Sequence, residues 1–229
     1  MKKIELSPSV SIIIAGIIIA LAVVFSNQHR IDVPAGGAAG GNGQAAAATI
    51  SIHAPNANDH IIGSPSAPIV LVEYSDFQCP YCSMIYPTLK KIVADSNGQV
   101  AWVYREYPLT SIHPQANPTA NAAECIAAQL GNAGFWKYAD AIFANQQQLS
   151  PEYSAKLAAS FGADPAKYAT CVSNKTYQST IDTDTNEVQA SGGNGTPFTV
   201  VVNTKTGKMV PVSGALPEAQ ILSVINSVK

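Results

Sequence analysis

Charged residues are scarce in this sequence, and neither sign predominates. The chain carries 13 Lys and Arg against 15 Asp and Glu, which leaves a formal net charge of -2 at pH 7. No block of basic residues offers a surface for nucleic acid, and no acidic run offers a solvating tail. These absences argue against a nucleic-acid-binding protein. They also argue against a protein that attracts its partners by a surface of one predominant charge.

Histidine and cysteine are also few, which restricts the metal sites that the chain could form. There are four of each, and no two histidines stand in an H-x-x-x-H pair. The cysteines are Cys79, Cys82, Cys125 and Cys171. Their meaning depends on the compartment, because thiols pair in exported proteins and stay reduced in the cytoplasm.

An uncharged apolar run near the N-terminus indicates that compartment. Residues 10–25 (VSIIIAGIIIALAVVF) follow Lys2 and Lys3 and, with their flanks, approach the ~20 apolar residues that cross a bilayer. Residues 1–27 are therefore predicted to form an uncleaved transmembrane anchor, with the N-terminus in the cytoplasm and the rest of the chain outside. The alternative is a cleavable signal peptide with a poor cleavage site at residues 24–26, and both interpretations export the remaining chain.

A stretch rich in Gly and Ala separates this run from the folded part. Residues 34–48 read PAGGAAGGNGQAAAA. Such a segment cannot bury enough apolar surface to offset the entropy of ordering it. We therefore predict a flexible linker over residues 28–57 and a single folded domain over residues 58–229.

Strand and helix patterns alternate in the folded part before a long helical block. The predicted strands are residues 69–75, 99–104, 198–203 and 209–212, and helices are predicted at 83–94 and 217–228. Ala-rich helical segments occupy residues of about 114–191, with breaks at Gly131 and Pro151. The pattern predicts an α/β fold that contains an inserted all-helical subdomain.

The sequence Cys79-Pro80-Tyr81-Cys82 lies at the first predicted strand-to-helix turn. A C-x-x-C motif in a βαβ unit is typical of redox proteins, because disulfide exchange requires one thiolate that attacks and a second thiol that resolves the mixed disulfide. The start of a helix lowers the pKa of a cysteine there, into a range of about 3.5–7.5 in such motifs. We expect Cys79 to be the exposed attacking thiol and Cys82 to be more buried.

Two other interpretations of the motif are weaker. Half of a structural zinc site would need two more ligands at suitable spacing, and Cys125 and Cys171 each stand alone. A purely structural disulfide within so short a loop would stabilise the fold little. We therefore predict a redox pair and no metal site.

Longer stretches of sequence resemble a known family. The quoted residues are IVLVEYSDFQCPYC at 69–82, HPQANPTANAAEC at 113–125, FWKYADAIF at 135–143, and Gly195-Thr196-Pro197 before a strand. Together they resemble the DsbA-like branch of the thioredoxin superfamily, and most closely its membrane-anchored, single-domain members. The resemblance implies a thioredoxin fold with an inserted helical subdomain, preceded here by the predicted transmembrane helix.

The resemblance also implies roles for particular residues. Thr196-Pro197 matches the family's cis-proline beside the active disulfide, with an ordinary trans proline as the alternative. Glu73 matches a buried acid that could exchange a proton with Cys82, with a solvent-facing glutamate as the alternative. The predicted catalytic residues are Cys79, Cys82, Pro197 and Glu73, and the predicted substrate-binding residues are Thr196, Pro197, Tyr81 and Pro80.

Two further details, at Tyr81 and Pro87, follow from the resemblance, and the pairing of the remaining cysteines follows from the predicted compartment. Strongly oxidising members often carry histidine where this chain has Tyr81, and a tyrosine there cannot stabilise the Cys79 thiolate as a cation. Pro87 matches the proline that kinks the active helix and is assigned a structural role. Cys125 and Cys171 are predicted to pair as a structural disulfide in an oxidising compartment, with free buried thiols as the alternative.

The function implied by the resemblance is the oxidation of thiols in exported proteins, on the outer or periplasmic side of the cytoplasmic membrane. No organic cofactor and no metal are expected, and the protein is expected to be a monomer. A membrane quinone-coupled partner would reoxidise the site. The alternatives are a reductase or isomerase with the same site, or a non-catalytic binding module or chaperone on a thioredoxin scaffold.

Overall fold

A computed structural model of the protein describes residues 50–56 and 58–229. The anchor predicted at residues 1–27 and the linker residues 28–49 and 57 lie outside the described residues. Within the described part, every helix is too short or too polar to cross a membrane.

A five-stranded sheet forms the centre of the fold. Its strands are β1 (His60–Ile62), β2 (Ile69–Ser75), β3 (Val100–Glu106), β4 (Phe198–Asn203) and β5 (Met209–Ser213). The order across the sheet is β1-β3-β2-β4-β5, with β2 and β3 parallel and the other pairs antiparallel. Every residue of β2, β3 and β4 is buried, so the sheet is covered on both faces. The sequence pattern did not predict β1, because three residues are too few for a period to be detected.

Among the residues that the structure describes, six helices surround the sheet. They are α1 (Pro80–Asp95), α2 (Ala116–Ala144), α3 (Pro151–Phe161), α4 (Pro165–Ser173), α5 (Gln178–Ala190) and α6 (Glu218–Val228), and a 3-10 turn at Gln146–Gln148 follows α2. Helices α2 to α5 lie between β3 and β4 in the chain. Gly131 interrupts α2 with φ 68° and ψ -167°, a conformation that glycine adopts without the steric cost of a Cβ. The mixed α/β fold with a helical insertion is therefore confirmed.

Helix α1 presents one side to the core. Its buried residues recur at spacings of three and four along the helix, and they are Cys82, Ile85, Tyr86, Leu89, Ile92 and Val93. Pro87 lies inside the helix at an exposed position. Since the buried side includes Cys82, the second cysteine of the motif lies within the core.

The opposite face of the sheet is covered by α5 and by the segment that enters the domain. Val188 of α5 packs with Val70 and Val72, and Ile50 and Ile52 pack against the same cluster. The Ser51 backbone N–H donates to the Ser191 hydroxyl at 3.1 Å, and that hydroxyl donates back to the Ser51 carbonyl at 3.1 Å. Residues 50–52, which precede the boundary predicted at residue 58, therefore pack and hydrogen-bond against the domain.

An aromatic cluster joins the helical insertion to the sheet. Ring centroids are 4.7 Å apart for Trp102 and Trp136, and 4.6 Å apart for Tyr86 and Phe143. Each such pair stabilises by about 0.5–1.5 kcal/mol beyond its buried area. The cluster fixes α2 against β3 and α1, and so fixes the insertion against the motif.

A disulfide within the insertion links Cys125 of α2 to Cys171 of α4, with Cα atoms 5.9 Å apart. The two cysteines are separated by 46 positions in the chain. The bridge therefore closes a long loop, and the entropy that it removes from the unfolded chain stabilises the folded state.

We predict that replacing both Cys125 and Cys171 by alanine lowers the free energy of unfolding by roughly 3–4 kcal/mol, because the loop closure is lost. Urea unfolding of the full chain in mild detergent measures this. Cys79 and Cys82 are replaced by alanine in both the test protein and its control, so that the bridge is the only disulfide that differs. Unchanged stability, or two alkylatable thiols in the unreduced, denatured control, would contradict the prediction.

Candidate active site

The cysteine pair lies where β2 leads into α1. Cys79 is the N-cap residue of α1, with an extended backbone at φ -72° and ψ 123°, and no side chain caps this helix start. Pro80 occupies the first turn and has no N–H to satisfy. The free N–H groups of Tyr81 and Cys82 therefore face the Cys79 sulfur.

Cys79 is less accessible than the sequence suggested. The residue is only 3% exposed, against 0% for Cys82. The chain just before β4 covers the sulfur, and Cys79 Sγ lies 3.4 Å from the carbonyl oxygen of Thr196. The Thr196-Pro197 peptide bond is cis, and Pro197 is buried beside the pair.

The surroundings of Cys79 favour its thiolate. Its pKa is lowered to about 6, first by a hydrogen bond from the Cys82 thiol and then by Thr196 and the backbone N–H groups of the helix start. Burial opposes these effects but does not cancel them. At neutral pH this thiol is therefore mostly the nucleophilic thiolate.

Cys82 has the opposite environment. Burial raises the pKa of its thiol well above the ordinary value, and the nearby charges of Cys79 and Glu73 raise it further. The backbone N–H of Asp76 lies 3.5 Å from its sulfur. Two thiols in one helical turn thus differ in their preferred protonation states, which is the arrangement that divides a pair into attacking and resolving groups.

Glu73 lies in the core beneath the pair and does not face solvent. The residue is 0% exposed, and the Ser75 hydroxyl and the Trp102 indole lie near its carboxyl group, although among the described residues neither oxygen accepts a hydrogen bond of ordinary distance and angle. Burial raises its pKa to about 8, and the Ser75 hydroxyl and Trp102 indole offset only part of this effect. A carboxyl group with this pKa can hold or release a proton near neutral pH, beside Cys82.

Two residues that the sequence reasoning did not single out hold the turn before α1. The Asp76 carboxylate accepts hydrogen bonds from the backbone N–H of Gln78 at 2.7 Å and of Leu109 at 2.9 Å, and it lies 2.7 Å from Nδ1 of His113. Gln146, from the 3-10 turn of the insertion, donates to the carbonyls of Phe77 and Cys79, each at 2.9 Å. Asp76 belongs to the quoted motif, whereas no local pattern distinguishes Gln146 from its neighbours.

An exposed apolar surface surrounds the start of α1. Tyr81 is 59% exposed and Met84 is 64% exposed, and Pro80 is also exposed. Large apolar side chains this exposed are suited to contact with another polypeptide. Tyr81, Pro80, Thr196 and Pro197, predicted to bind substrate, thus lie around or beside Cys79.

One group within the described residues has the spacing of metal ligands. Atoms of His53, Asp184 and Glu187 lie within 4.8 Å of one another. The two Glu187 oxygens are already engaged by His53, Tyr74 and Arg105, so this group is an ion-pair cluster that holds the entering segment. None of its members adjoins the cysteine pair.

The fold and the site together define a thioredoxin-fold protein with a C-x-x-C pair at the start of its first long helix. The chain belongs to the thioredoxin family, whose model, described as Thioredoxin, matches residues 55–213. Solved structures of DsbA-like proteins have the same fold. The chain is a DsbA-like member of the thioredoxin superfamily. This confirms the resemblance found in the sequence.

Several of those structures cover most of the domain. DsbA2 of Pseudomonas aeruginosa is 29% identical and covers 78% of this chain and 97% of its own, with a TM-score of 0.65. Oxidised BdbD of Bacillus subtilis is 21% identical and covers 74% of this chain and 92% of its own, with a TM-score of 0.63. At that lower identity the second match supports the fold alone.

Curated relatives share only a part of their length with this chain. A Na+/H+ antiporter NhaA 3 of Salinispora tropica is 34% identical over 139 residues, which are 61% of this chain and 21% of the relative. A Na+/H+ antiporter NhaA 1 of Mycolicibacterium gilvum is 33% identical over 150 residues, which are 64% of this chain and 24% of the relative. The match spans less than a quarter of these relatives, so their names describe mostly sequence that this chain does not match.

We predict that the Cys79 thiol titrates at about pH 6 and that Cys82→Ala raises this pKa, because the Cys82 side chain is the largest stabilising contact of the thiolate. Cys82→Ser is the matched variant, since its hydroxyl retains a donor and should keep most of the effect. The ultraviolet absorbance of the thiolate across pH measures all three proteins. Equal pKa values for the alanine and serine variants would show that the contact does not set the pKa.

Proposed function

We propose that the protein is an extracytoplasmic thiol–disulfide oxidoreductase that introduces disulfides into exported proteins through Cys79 and Cys82. The observation that carries this proposal is the division of the pair into a thiol with a lowered pKa and a buried thiol with a raised pKa. The solved structures of DsbA-like proteins support the same activity. A non-catalytic binding module would have no need of this division.

The proposed reaction begins with the oxidised Cys79–Cys82 pair. A substrate thiolate attacks Cys79 Sγ, a bond forms between these two sulfurs, and the Cys79–Cys82 bond breaks with its electron pair on Cys82. A second substrate thiolate then attacks the substrate sulfur of the mixed disulfide, and Cys79 leaves as a thiolate. The substrate loses two electrons, and the cysteine pair gains them.

The protein environment acts differently on the two leaving groups. The Cys79 thiolate is stabilised at the helix start, which makes it a good leaving group in the second step. The Cys82 thiolate that forms in the first step is buried and unstable, so it takes up a proton. Glu73, with a pKa of about 8, is the proposed donor of that proton.

The direction of electron flow depends on how strongly the reduced pair is stabilised. A stabilised Cys79 thiolate favours the reduced form, and a protein with this preference oxidises its substrates. The lowered pKa of about 6 lies between the values of about 3.5 for a strongly oxidising DsbA and about 7 for thioredoxin. This intermediate value supports oxidation first and leaves a reductase or isomerase as the second candidate.

The proposal includes a location and partners. The apolar run at residues 10–25 supports an anchor in the cytoplasmic membrane with the domain outside, where exported thiols would be its substrates. A membrane quinone-coupled partner would remove the two electrons and restore the disulfide. The antiporter names of the partial relatives are not carried over to this chain.

Equilibration of the full chain with glutathione buffers tests the direction. We expect a reduction potential between ~-120 mV, typical of a strong oxidant, and ~-270 mV, typical of thioredoxin. The fraction of reduced pair is measured by alkylation and mass spectrometry. A potential at or below the thioredoxin value would contradict the oxidase assignment and leave the second candidate standing.

The roles of the two cysteines are tested by trapping. Cys82→Ala should accumulate mixed disulfides between Cys79 and substrate thiols, because the buried resolving thiol is absent. Cys79→Ala is the matched control and should accumulate far fewer, since Cys82 is 0% exposed. Non-reducing electrophoresis of membranes from cells that express each variant measures the adducts, and similar yields from both variants would exclude the assigned roles.

A further inference from the structure

The start of α1 lacks the side-chain cap that usually closes a helix N-terminus. Cys79 is the N-cap residue, and no side-chain hydrogen bond caps the first turn. The Cys79 sulfur takes this place, because the backbone N–H groups of Tyr81 and Cys82 face it. The stability of the thiolate therefore depends on the orientation of the Cys79 side chain relative to the helix that follows.

One backbone rotation sets this orientation. The ψ angle of Cys79 is 123°, and a change in ψ turns the Cys79 carbonyl and the axis of α1 together, relative to the sulfur. Pro80 restricts the preceding residue to an extended backbone with ψ of about 120–160°. That range is wide enough to move the sulfur out of line with the N–H groups, so a further contact is needed to select one value within it.

The side chain of Gln146 makes that contact. Its Nε2 donates to the carbonyl of Phe77 and to the carbonyl of Cys79, each at 2.9 Å. A glutamine amide carries two N–H donors on one nitrogen, so a single group holds both acceptors. The Cys79 carbonyl also accepts from the Ser83 backbone N–H at 3.2 Å. Rotation of the Cys79 carbonyl would therefore break the bridge to Phe77 or strain the first bond of α1.

Gln146 acts from a base that is fixed against α1. It belongs to the 3-10 turn that follows α2. Just before this turn, the Ser83 hydroxyl donates to the Phe143 carbonyl at 3.2 Å, and the Tyr86 hydroxyl donates to Asp140 at 2.9 Å. The end of α2 and the start of α1 are thus joined side by side, and a group held in this way can define the position of a reacting atom.

We propose that Gln146 is a positioning residue for thiol–disulfide exchange, which holds the Cys79 sulfur in line with the helix start by bridging the carbonyls of Phe77 and Cys79. The inference rests on the proposed function and adds the residue of the helical insertion that acts on the cysteine pair. Gln146 acts through the backbone of Cys79, and no bond to it forms or breaks in the reaction.

The bridge affects every group of α1 that stabilises the thiolate. The Cys82 thiol is the first cause of the lowered pKa of Cys79, and the N–H groups of Tyr81 and Cys82 add to it. All of these groups are carried by α1, so they move together if the Cys79 carbonyl turns. Without the bridge the thiolate loses part of its stabilisation, the reduced pair is less favoured, and the protein becomes a weaker oxidant.

Other contacts keep the turn at residues 76–79 folded when the bridge is absent. The Asp76 carboxylate accepts from the backbone N–H groups of Gln78 and Leu109, and the Gln78 side chain accepts from the backbone N–H of Gln115 at 2.7 Å. These contacts come from the loop after β3, on a different element from Gln146. Removal of the Gln146 amide is therefore expected to change the orientation of Cys79 without unfolding the site.

Gln146→Met tests the proposal, because methionine keeps the length of the side chain and has no N–H. The full chain in mild detergent is titrated by thiolate absorbance and equilibrated with glutathione. We expect the pKa of Cys79 to rise by roughly half a unit to one unit. We expect the equilibrium constant for reduction of the pair to fall by about three- to tenfold, which corresponds to about 15–30 mV.

Gln146→Lys is the rescue variant, since its ammonium group restores N–H donors at the end of a long side chain. We expect its Cys79 pKa to stay at or below the wild-type value. Gln147→Met is the matched control, because Gln147 is the exposed neighbour in the same 3-10 turn. We expect this control to titrate and equilibrate like the wild type.

Three results would overturn the positioning role. The first is a Gln146→Met protein that titrates like Gln147→Met, even if urea unfolding shows that it is less stable. The second is a pKa that rises equally in Gln146→Met and Gln146→Lys, since shape rather than hydrogen-bond donation would then be responsible. The third is a raised pKa with an unchanged glutathione equilibrium. If the wild type itself fails to exchange with glutathione, the proposed function fails instead, and the titrations still decide the role of Gln146.

Discussion

The properties of this site depend on the difference in solvation between two sulfur atoms that are three residues apart. Cys79 stands at the start of α1, where the Cys82 thiol first, and the unpaired N–H groups of the helix start after it, stabilise negative charge. Cys82 lies one turn further along on the buried side of the same helix, where negative charge is costly. One helix start therefore produces two thiols of opposite character, and the attack, resolution and release of a substrate all follow from that contrast.

The helical insertion contributes to the site as well as covering it. The aromatic cluster holds α2 against β3 and α1, and Gln146 at the end of that unit donates to the carbonyl of Cys79. The geometry of the reactive turn is thus fixed in part by residues more than sixty positions away in the chain. Variation in the insertion can therefore alter the reactivity of the pair without any change in the motif itself.

Glu73 shows a conflict between stability and chemistry. A core made only of apolar side chains would be more stable than one that holds this fully buried carboxyl group. The carboxyl group lies beside the buried thiol, and destabilising groups retained at such places are expected at functional sites.

The sequence by itself determined the fold class, the helical insertion with its break at Gly131, and the identity of the cysteine pair. Each of these rests on local information, namely a hydrophobic period, a residue with special backbone freedom, or two thiols at fixed spacing. The three-residue strand β1 and the tie between Ser51 and Ser191 had no such local signal. Only the tertiary structure decided that Glu73 faces the core, that Thr196 covers Cys79, and that the buried Glu106 lies beside Asp184. The physical reason is that burial and pKa depend on neighbours brought together by long-range packing, which the order of residues along the chain does not show.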